Sequence, residues 1–253
     1  MTLHHIVDGP TGGPTLLLAS SLGATHAMWE PQVGPLSERF RVVRCDRRGH
    51  GRSPVVPGPT TIDDLGRDLV GLLDALDLER VSFCGLSLGG LEGMWLALRA
   101  PARVDRLVLA CTSSSFAPRE TWIDRASTVR DEGLDAIADA TIARWFSASF
   151  REAQPAVVTR FREMLVSTPP EGYVACCDVL ADADLTGELG RIDAPTLVVT
   201  GSEDPTITPA RGDELASAIP GARHVTLDGA AHLANVDRAN AFTAALLDHL
   251  EAP

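Results

Sequence analysis

The 253-residue chain contains no lysine; all 22 of its basic side chains are arginine. That absence excludes Schiff-base chemistry, a Ser-Lys dyad and a phosphate-binding P-loop lysine. Codon bias in a GC-rich genome explains it more simply than any functional demand. Cysteine is scarce: Cys45, Cys84, Cys111, Cys176 and Cys177 make an odd number with no C-x-x-C spacing. No disulfide framework is expected, and Cys45, Cys84 and Cys111, each ending an apolar run, read as buried strand thiols. No H-x-x-x-H and no clustered Cys/His pattern occurs, so no metal site is expected. No apolar run approaches the ~18–20 residues of a membrane span. The first residues, Met1-Thr2-Leu3-His4-His5, lack a signal-peptide pattern, and a cytoplasmic location is the expectation. Positive charge is also in deficit, with a net charge of −12. That argues against nucleic acid or an anionic membrane surface as partner, and an anionic substrate would need a local group of arginines.

What is present is an ordinary soluble composition, 45% hydrophobic and 22% charged, long enough for one large α/β domain. Leu3–Val7 reads as an edge strand and Thr15–Ala19 as a central parallel strand that empties into Ser20-Ser21-Leu22-Gly23. Met28, Trp29, Val33, Leu36 and Phe40 follow at helical intervals. Phe40–Cys45 is the next strand, ending in the polar cluster Asp46–Ser53. Thr61 caps a helix whose apolar face is Leu65, Leu69, Leu72, Leu73 and Leu76, with Asp63 and Asp64 in its first turn. Strands recur at Val81–Cys84, Val104–Cys111, Thr196–Thr200 and Arg223–Leu227, with a helix over Pro209–Ala218 and another holding Phe242, Ala245, Leu246 and Leu250. From about Ser113 to Gly190 no strand-like run appears. Helical patterns follow one another there, around Trp122–Val129, Leu134–Trp145, Val157–Leu165 and, shorter, Tyr173–Leu180. The alternation of strand and helix, interrupted once, predicts a mostly parallel doubly wound sheet, residues 1–112 and 191–253, carrying a helical lid over 113–190.

The chemistry centres on Gly85-Leu86-Ser87-Leu88-Gly89. A serine on so tight a strand-to-helix turn needs small neighbours. The turn lifts its hydroxyl from the sheet and sets the Leu88 N–H at a helix start, facing a developing oxyanion. An ordinary Gly-rich turn is the bland alternative. A serine hydroxyl needs a base, and the base needs a carboxylate to hold its tautomer. Sites in open α/β sheets form at the carboxyl ends of strands. His4 and His5 fall in the first strand, His224 inside a strand, and His249 on the last helix in an exposed position. His50 suits a turn-bracing role, and His26 either lines the pocket or sits on the surface. His232 alone follows a C-terminal strand and precedes a helix. Asp204, fixed by Pro205, closely follows the strand at Thr196–Thr200. Its neighbour Glu203 and the loop residue Asp228 are the weaker candidates. The predicted triad is Ser87, Asp204 and His232, with backbone N–H donors from Leu88 and, in the loop after the first central strand, Leu22.

Several segments resemble the α/β-hydrolase superfamily, and 3-oxoadipate enol-lactonases in particular. They are Ser20–Gly23 with Met28–Gln32, Asp46–Gly51, Gly85–Leu91, Arg144-Trp145-Phe146, Gly172–Cys177, Gly221–Arg223 and Ala230–Val236. The order Ser87, Asp204, His232 is the triad order of that fold. The family usually has a further N-terminal strand, which leaves the sheet edge as the point of departure. The resemblance implies no cofactor and, as substrate, a small anionic enol-lactone opened in aromatic-compound catabolism. A substrate carboxylate needs a cation: Arg144 beside Trp145 in the lid is the first candidate and Arg130 a lower one, with Trp145 walling the ring. For Arg144 and Trp145 the competing readings are a solvated helix face and lid core. Rival functions are a general carboxylesterase, an acyl-homoserine lactonase, a cofactor-free perhydrolase and, from another class, a non-catalytic binding or receptor protein.

Overall fold

Short runs of branched and large apolar residues bounded by small or polar ones become one sheet, in a computed structural model that describes residues 2–116 and 118–252. The strands are β1 (His5–Asp8), β2 (Thr15–Ala19), β3 (Arg41–Cys45), β4 (Val81–Leu86), β5 (Val104–Ala110), β6 (Thr196–Gly201) and β7 (Arg223–Leu227). Their spatial order is β1-β3-β2-β4-β5-β6-β7. β1 runs antiparallel to β3, and each of the other neighbouring pairs is parallel. β4, at the centre of the sheet, and β6, one strand in from the β7 edge, are buried along their whole length.

Winding starts at β2 and proceeds to both sides, β3 on one and β4 on the other. The right-handed crossovers this requires place helices on both faces, and they open a crevice at the carboxyl ends of β2 and β4. The connecting helices are α1 (Glu30–Ser37), α2 (Ile62–Ala75), α3 (Leu88–Arg99), α9 (Pro209–Ala218), α10 (Ala234–Asp237) and α11 (Ala239–Leu250). Thr61 starts α2 with a reciprocal cap. Its hydroxyl accepts the Asp64 N–H at 3.2 Å while the Asp64 carboxylate accepts the Thr61 N–H at 3.0 Å.

Between β5 and β6 lie α4 (Arg119–Glu132), α5 (Asp135–Trp145), α6 (Ala148–Ala153), α7 (Pro155–Val166) and α8 (Pro170–Asp182). The chain enters and leaves this block side by side: Ser115 and Asp184 form an antiparallel bridge, and the Leu185 N–H donates to the Ser114 carbonyl at 3.0 Å. The block has an aromatic centre of its own. Phe161 meets Phe146 edge-on at 5.2 Å and Trp145 at 6.3 Å.

Several local expectations shift. The edge strand runs His5–Asp8 rather than Leu3–Val7, because His4 turns away to Asp46 and Leu3 packs into the core. The helix expected over Met28–Phe40 divides into a 3-10 turn, His26–Trp29, and α1, whose first turn holds Pro31. The final helical stretch divides into α10 and α11. The Tyr173 pattern is a full thirteen-residue helix, α8, and the short α6, capped by Ser147, was not expected. His249 is buried rather than exposed, with its Nε2 3.2 Å from the Pro195 carbonyl; burial lowers its pKa.

Candidate active site

Ser87 occupies the turn between β4 and α3 with φ 58° and ψ −117°, a conformation that costs a non-glycine residue about 1–3 kcal/mol. The surroundings impose it. The Ser87 N–H donates to the Ala110 carbonyl at 2.9 Å, and the Thr112 hydroxyl donates to the Ser87 carbonyl at 2.6 Å. A Cβ on Gly85 would lie 2.0 Å from the Gly89 carbonyl oxygen, and one on Gly89 would lie 2.3 Å from that of Ala19. The two flanking glycines are therefore what lets strand, helix and the neighbouring β2 loop close around the serine.

Asp204 and His232 come from the loops after β6 and β7. One Asp204 oxygen accepts the N–H groups of Thr206 at 2.8 Å and Ile207 at 3.0 Å. The other lies 2.7 Å from His232 Nδ1. The carboxylate is thus aimed at one ring nitrogen and leaves the other, Nε2, as the free position. Both side chains are buried. Glu203 and Asp228, the alternative acids, are exposed.

His232 and Ser87 line one cavity of about 240 Å³, together with Leu22, Trp145, Arg144 and Arg125. Among the described residues, neither the Leu22 N–H nor the Leu88 N–H has a protein acceptor, whereas the neighbouring Ser21, Gly23 and Ala24 N–H groups all do. Two unspent donors beside a hydroxyl are what an oxyanion requires.

The loop presenting Leu22 is held from beneath. Arg47 donates to the carbonyls of Ser20 at 2.7 Å and Ser21 at 3.3 Å, and it pairs bidentately with Glu92 of α3 at 2.7 and 2.8 Å. His50 Nε2 accepts the Gly23 N–H at 3.1 Å, while its Nδ1 faces the Arg48 carbonyl at 3.2 Å. Burial, reinforced by the Arg47 cation, pushes the His50 imidazole down to about 3, so it is neutral and can accept. His50 thus braces the loop. His26, in contrast, neither lines the cavity nor sits free on the surface; its ring binds Asp46.

The lid is tied to the histidine loop. The N–H groups of His232 and Leu233 donate to the carbonyls of Arg144 and Trp145 at 3.3 and 2.9 Å. Buried Asp237 accepts from Ala231 N–H at 2.8 Å, Ser147 N–H at 2.9 Å and the Ser147 hydroxyl at 2.8 Å.

Trp145 combines both expected roles: it packs on Phe161 in the lid and walls the cavity. Arg144 also reaches the cavity; among the described residues its guanidinium makes one hydrogen bond, to the Thr141 hydroxyl at 3.1 Å. Burial and the nearby Arg125 cation lower its pKa to about 10, which leaves it charged at neutral pH. Arg130 does not join it. It is exposed on α4, 3.7 Å from Asp178 of α8, and borders a separate surface depression.

Sequence reasoning missed Arg125, Tyr173 as a cavity wall, Asp237, and the Arg47–Glu92 pair. Arg125 lies over the Trp122 ring, 5.1 Å from its centroid, and 3.4 Å from the Tyr173 hydroxyl. Burial pushes that hydroxyl up to about 12. One signal was available for Glu92: it is the lone carboxylate in the apolar run Leu88–Leu98, and a buried carboxylate demands a partner.

A mostly parallel sheet wound from β2, a strained serine after β4 and an aspartate–histidine pair from the loops after the last two strands define an α/β hydrolase. The chain belongs to the alpha/beta hydrolase fold family, whose model matches residues 14–239. It is similar to 3-oxoadipate enol-lactonase 2 of Acinetobacter baylyi, 38% identical with 97% of this chain and 92% of the relative covered. It is similar also to the crystal structure of the enol-lactonase from Burkholderia xenovorans LB400, at 44% identity and TM-score 0.97, covering 99% and 96% of the two chains. A protein of Agrobacterium fabrum carrying the name carbamate hydrolase RutD matches at 32% identity over 98% of both. The chain is a hydrolase, of the lactone-hydrolase type. No helix among the described residues is long and apolar enough to cross a membrane.

Proposed function

We propose that this hydrolase opens a small enol-lactone bearing a carboxylate, of the 3-oxoadipate enol-lactone kind, as a step in aromatic-compound breakdown. One observation carries the reading. Among the described residues, Arg125 and Arg144 make no ion pair, although the chain carries twelve more acidic than basic groups, and both face the cavity that holds Ser87 and His232. Half-buried guanidiniums left without a carboxylate are matched by a ligand that supplies one. Similarity to the two enol-lactonases supports the same choice.

In this mechanism the Ser87 hydroxyl attacks the lactone carbonyl as His232 Nε2 takes its proton. The oxyanion accepts from the Leu22 and Leu88 N–H groups. The ring C–O bond breaks, His232 returns the proton to the enol oxygen, and the opened chain stays esterified to Ser87. Water, deprotonated by His232, then attacks the ester carbonyl; the serine leaves with the proton, and the released enol tautomerises to the ketone. Asp204 holds the His232 tautomer and stabilises its imidazolium.

The experiment is a substrate panel at matched conditions: 3-oxoadipate enol-lactone, p-nitrophenyl acetate and a simple carbamate. The enol-lactone is expected to give the highest kcat/KM. Faster turnover of the neutral ester or of the carbamate overturns the substrate assignment. Ser87→Ala is expected to lower kcat by about 10⁴-fold or more and to abolish fluorophosphonate labelling; persistence of either rules out Ser87 as nucleophile.

A further inference from the structure

Three side chains that catalysis leaves unused meet at the start of the sheet. His4 directly precedes β1, His26 opens the turn after the Leu22 loop, and Asp46 directly follows β3. His4 and His26 stand 42 and 20 residues from Asp46 in the chain, which is why no paired-histidine spacing announced them. His4 Nδ1 lies 2.8 Å from Asp46 Oδ2, and His26 Nδ1 lies 2.9 Å from Oδ1. One ligand atom from each residue falls within 4.8 Å of the others. The two rings stand edge to face with centroids 5.2 Å apart. The Asp46 side chain is fully buried, while each imidazole keeps 18% exposure, so the cluster opens to solvent on its histidine side.

We propose that His4 Nδ1, His26 Nδ1 and the Asp46 carboxylate form a binding site for one divalent transition-metal ion of the zinc class, separate from the catalytic cavity. The donor set is two imidazoles and a carboxylate, the nitrogen–oxygen combination that suits such ions. Metal–ligand bonds of about 2.0–2.2 Å put donors of a tetrahedral site roughly 3.2–3.5 Å apart. The nitrogen–oxygen separations of 2.8 and 2.9 Å would have to open by roughly 0.3–0.7 Å.

Charge and proton balance are simple. Without metal, each Nδ1–H donates to the carboxylate. With metal, each neutral ring carries its proton on Nε2 and turns the Nδ1 lone pair to the ion; water fills the remaining positions. The outer contacts already exist: the backbone N–H groups of His26 and Arg52 donate to Asp46 at 2.8 and 3.1 Å.

The ion would join three segments. His4 is already linked to the loop after β3, its N–H donating to the Ser53 hydroxyl at 2.8 Å and its carbonyl accepting the Asp46 N–H at 2.9 Å. His26 belongs to the turn that follows the Leu22 loop. A metal there clamps the edge of the sheet to the oxyanion loop, and the expected consequence is stabilisation, not new chemistry.

The test uses the full chain without a polyhistidine tag, stripped with a chelator and titrated with Zn²⁺, and with Co²⁺ for absorption spectroscopy. One equivalent is expected to bind, with Co²⁺ d–d bands and a higher melting temperature in Zn²⁺ that a chelator reverses. His4→Gln and His26→Asn keep a side-chain N–H for Asp46 but remove the imidazole. Each is expected to weaken binding by more than the roughly 10–100-fold that follows loss of an outer-shell partner, with circular dichroism unchanged. Absence of stoichiometric binding to the parent chain overturns the proposal. So does binding that survives both substitutions together.

Discussion

Two groups of polar side chains flank Ser87, one below it in the core and one above it in the lid, and they are completed to different degrees. In the core, Arg47 has a bidentate carboxylate and two carbonyls, His50 has a partner for each ring nitrogen, and Asp204 uses both oxygens. In the lid, Arg125 has an aromatic face and a long contact to a phenol, and Arg144 has one hydroxyl. Buried polar groups that are fully paired fix the backbone around them; those left short of partners are costly unless something else completes them. The contrast fits a core group that holds loops in place, and it is what the proposed carboxylate-binding role of the lid group rests on.

The largest effect expected comes from breaking the core group. Arg47→Ala strands Glu92 as a lone buried charge, and a loss of about 3–5 kcal/mol in urea unfolding is expected. Arg47→Met combined with Glu92→Leu removes both charges, and most of that stability should return. The Ser20 and Ser21 carbonyls still lose their anchor, however. Activity of the double variant is therefore expected to stay low, by up to about 100-fold, the scale of a displacement of order 1 Å. Full activity in the double variant would show that the pair stabilises the fold without placing the Leu22 loop.

The lid group should behave in the opposite way. Arg125→Gln and Arg144→Gln leave no buried carboxylate behind, so stability should change little. For the anionic lactone, kcat/KM is expected to fall about 10–100-fold with each, the worth of one charge-assisted hydrogen bond. Turnover of p-nitrophenyl acetate, which has no carboxylate, should hardly move. Equal losses on both substrates would mean that the arginines shape the cavity and do not read charge.

The same contrast separates what the sequence discloses from what it does not. β2, α9 and β7 have the bounds expected from their residues alone, since each is a short apolar or periodic run with clear stops. That Asp204 and His232 would meet was legible because loops after strands are few and chain order is informative. Arg125 was not. It lies on α4, whose polar and apolar residues alternate without a clean stripe, and which side of α4 faces the cavity is decided by how α4 packs on α8. The His4–His26–Asp46 cluster was hidden for a related reason: two strand ends and a turn, far apart in the chain, become neighbours only when the sheet forms. Exposed His249 was a wrong expectation because the last turn of α11 folds back against Pro195, a contact that helical periodicity cannot show.

A more gradual effect, small over any one pH unit, links the core group to pH. His50 titrates near 6.5 when free and is held down to about 3 in the folded chain. Between those values the unfolded chain binds a proton that the folded chain does not. The stability contributed by keeping His50 neutral is therefore complete above about pH 6.5 and declines as pH falls, by about 1.4 kcal/mol per unit. Urea midpoints measured downward from neutrality should show this slope, and His50→Gln should make it shallower by about one proton. An unchanged slope would mean that the ring accepts its proton within the fold, which would cost it the Gly23 N–H and loosen the Leu22 loop.

The smallest effect expected is at Arg130, and it sharpens the assignment of Arg125. The two share α4, five residues apart, and at about 100° per residue their side chains leave the helix roughly 140° apart. That rotation carries Arg125 over Trp122 toward the cavity and Arg130 out to solvent. Arg130 and Asp178 are each about half exposed and 3.7 Å apart, a spacing at which water screens most of their attraction. Arg130→Ala is thus expected to change unfolding free energy by less than about 0.5 kcal/mol. Its kcat/KM for the anionic lactone should stay within about twofold, because an exposed charge facing away from the cavity is screened by salt. A tenfold loss at Arg130 that vanishes in high salt would instead make it a steering charge on the route into the site. The lid would then hold two kinds of arginine, one that attracts the carboxylate and one that binds it.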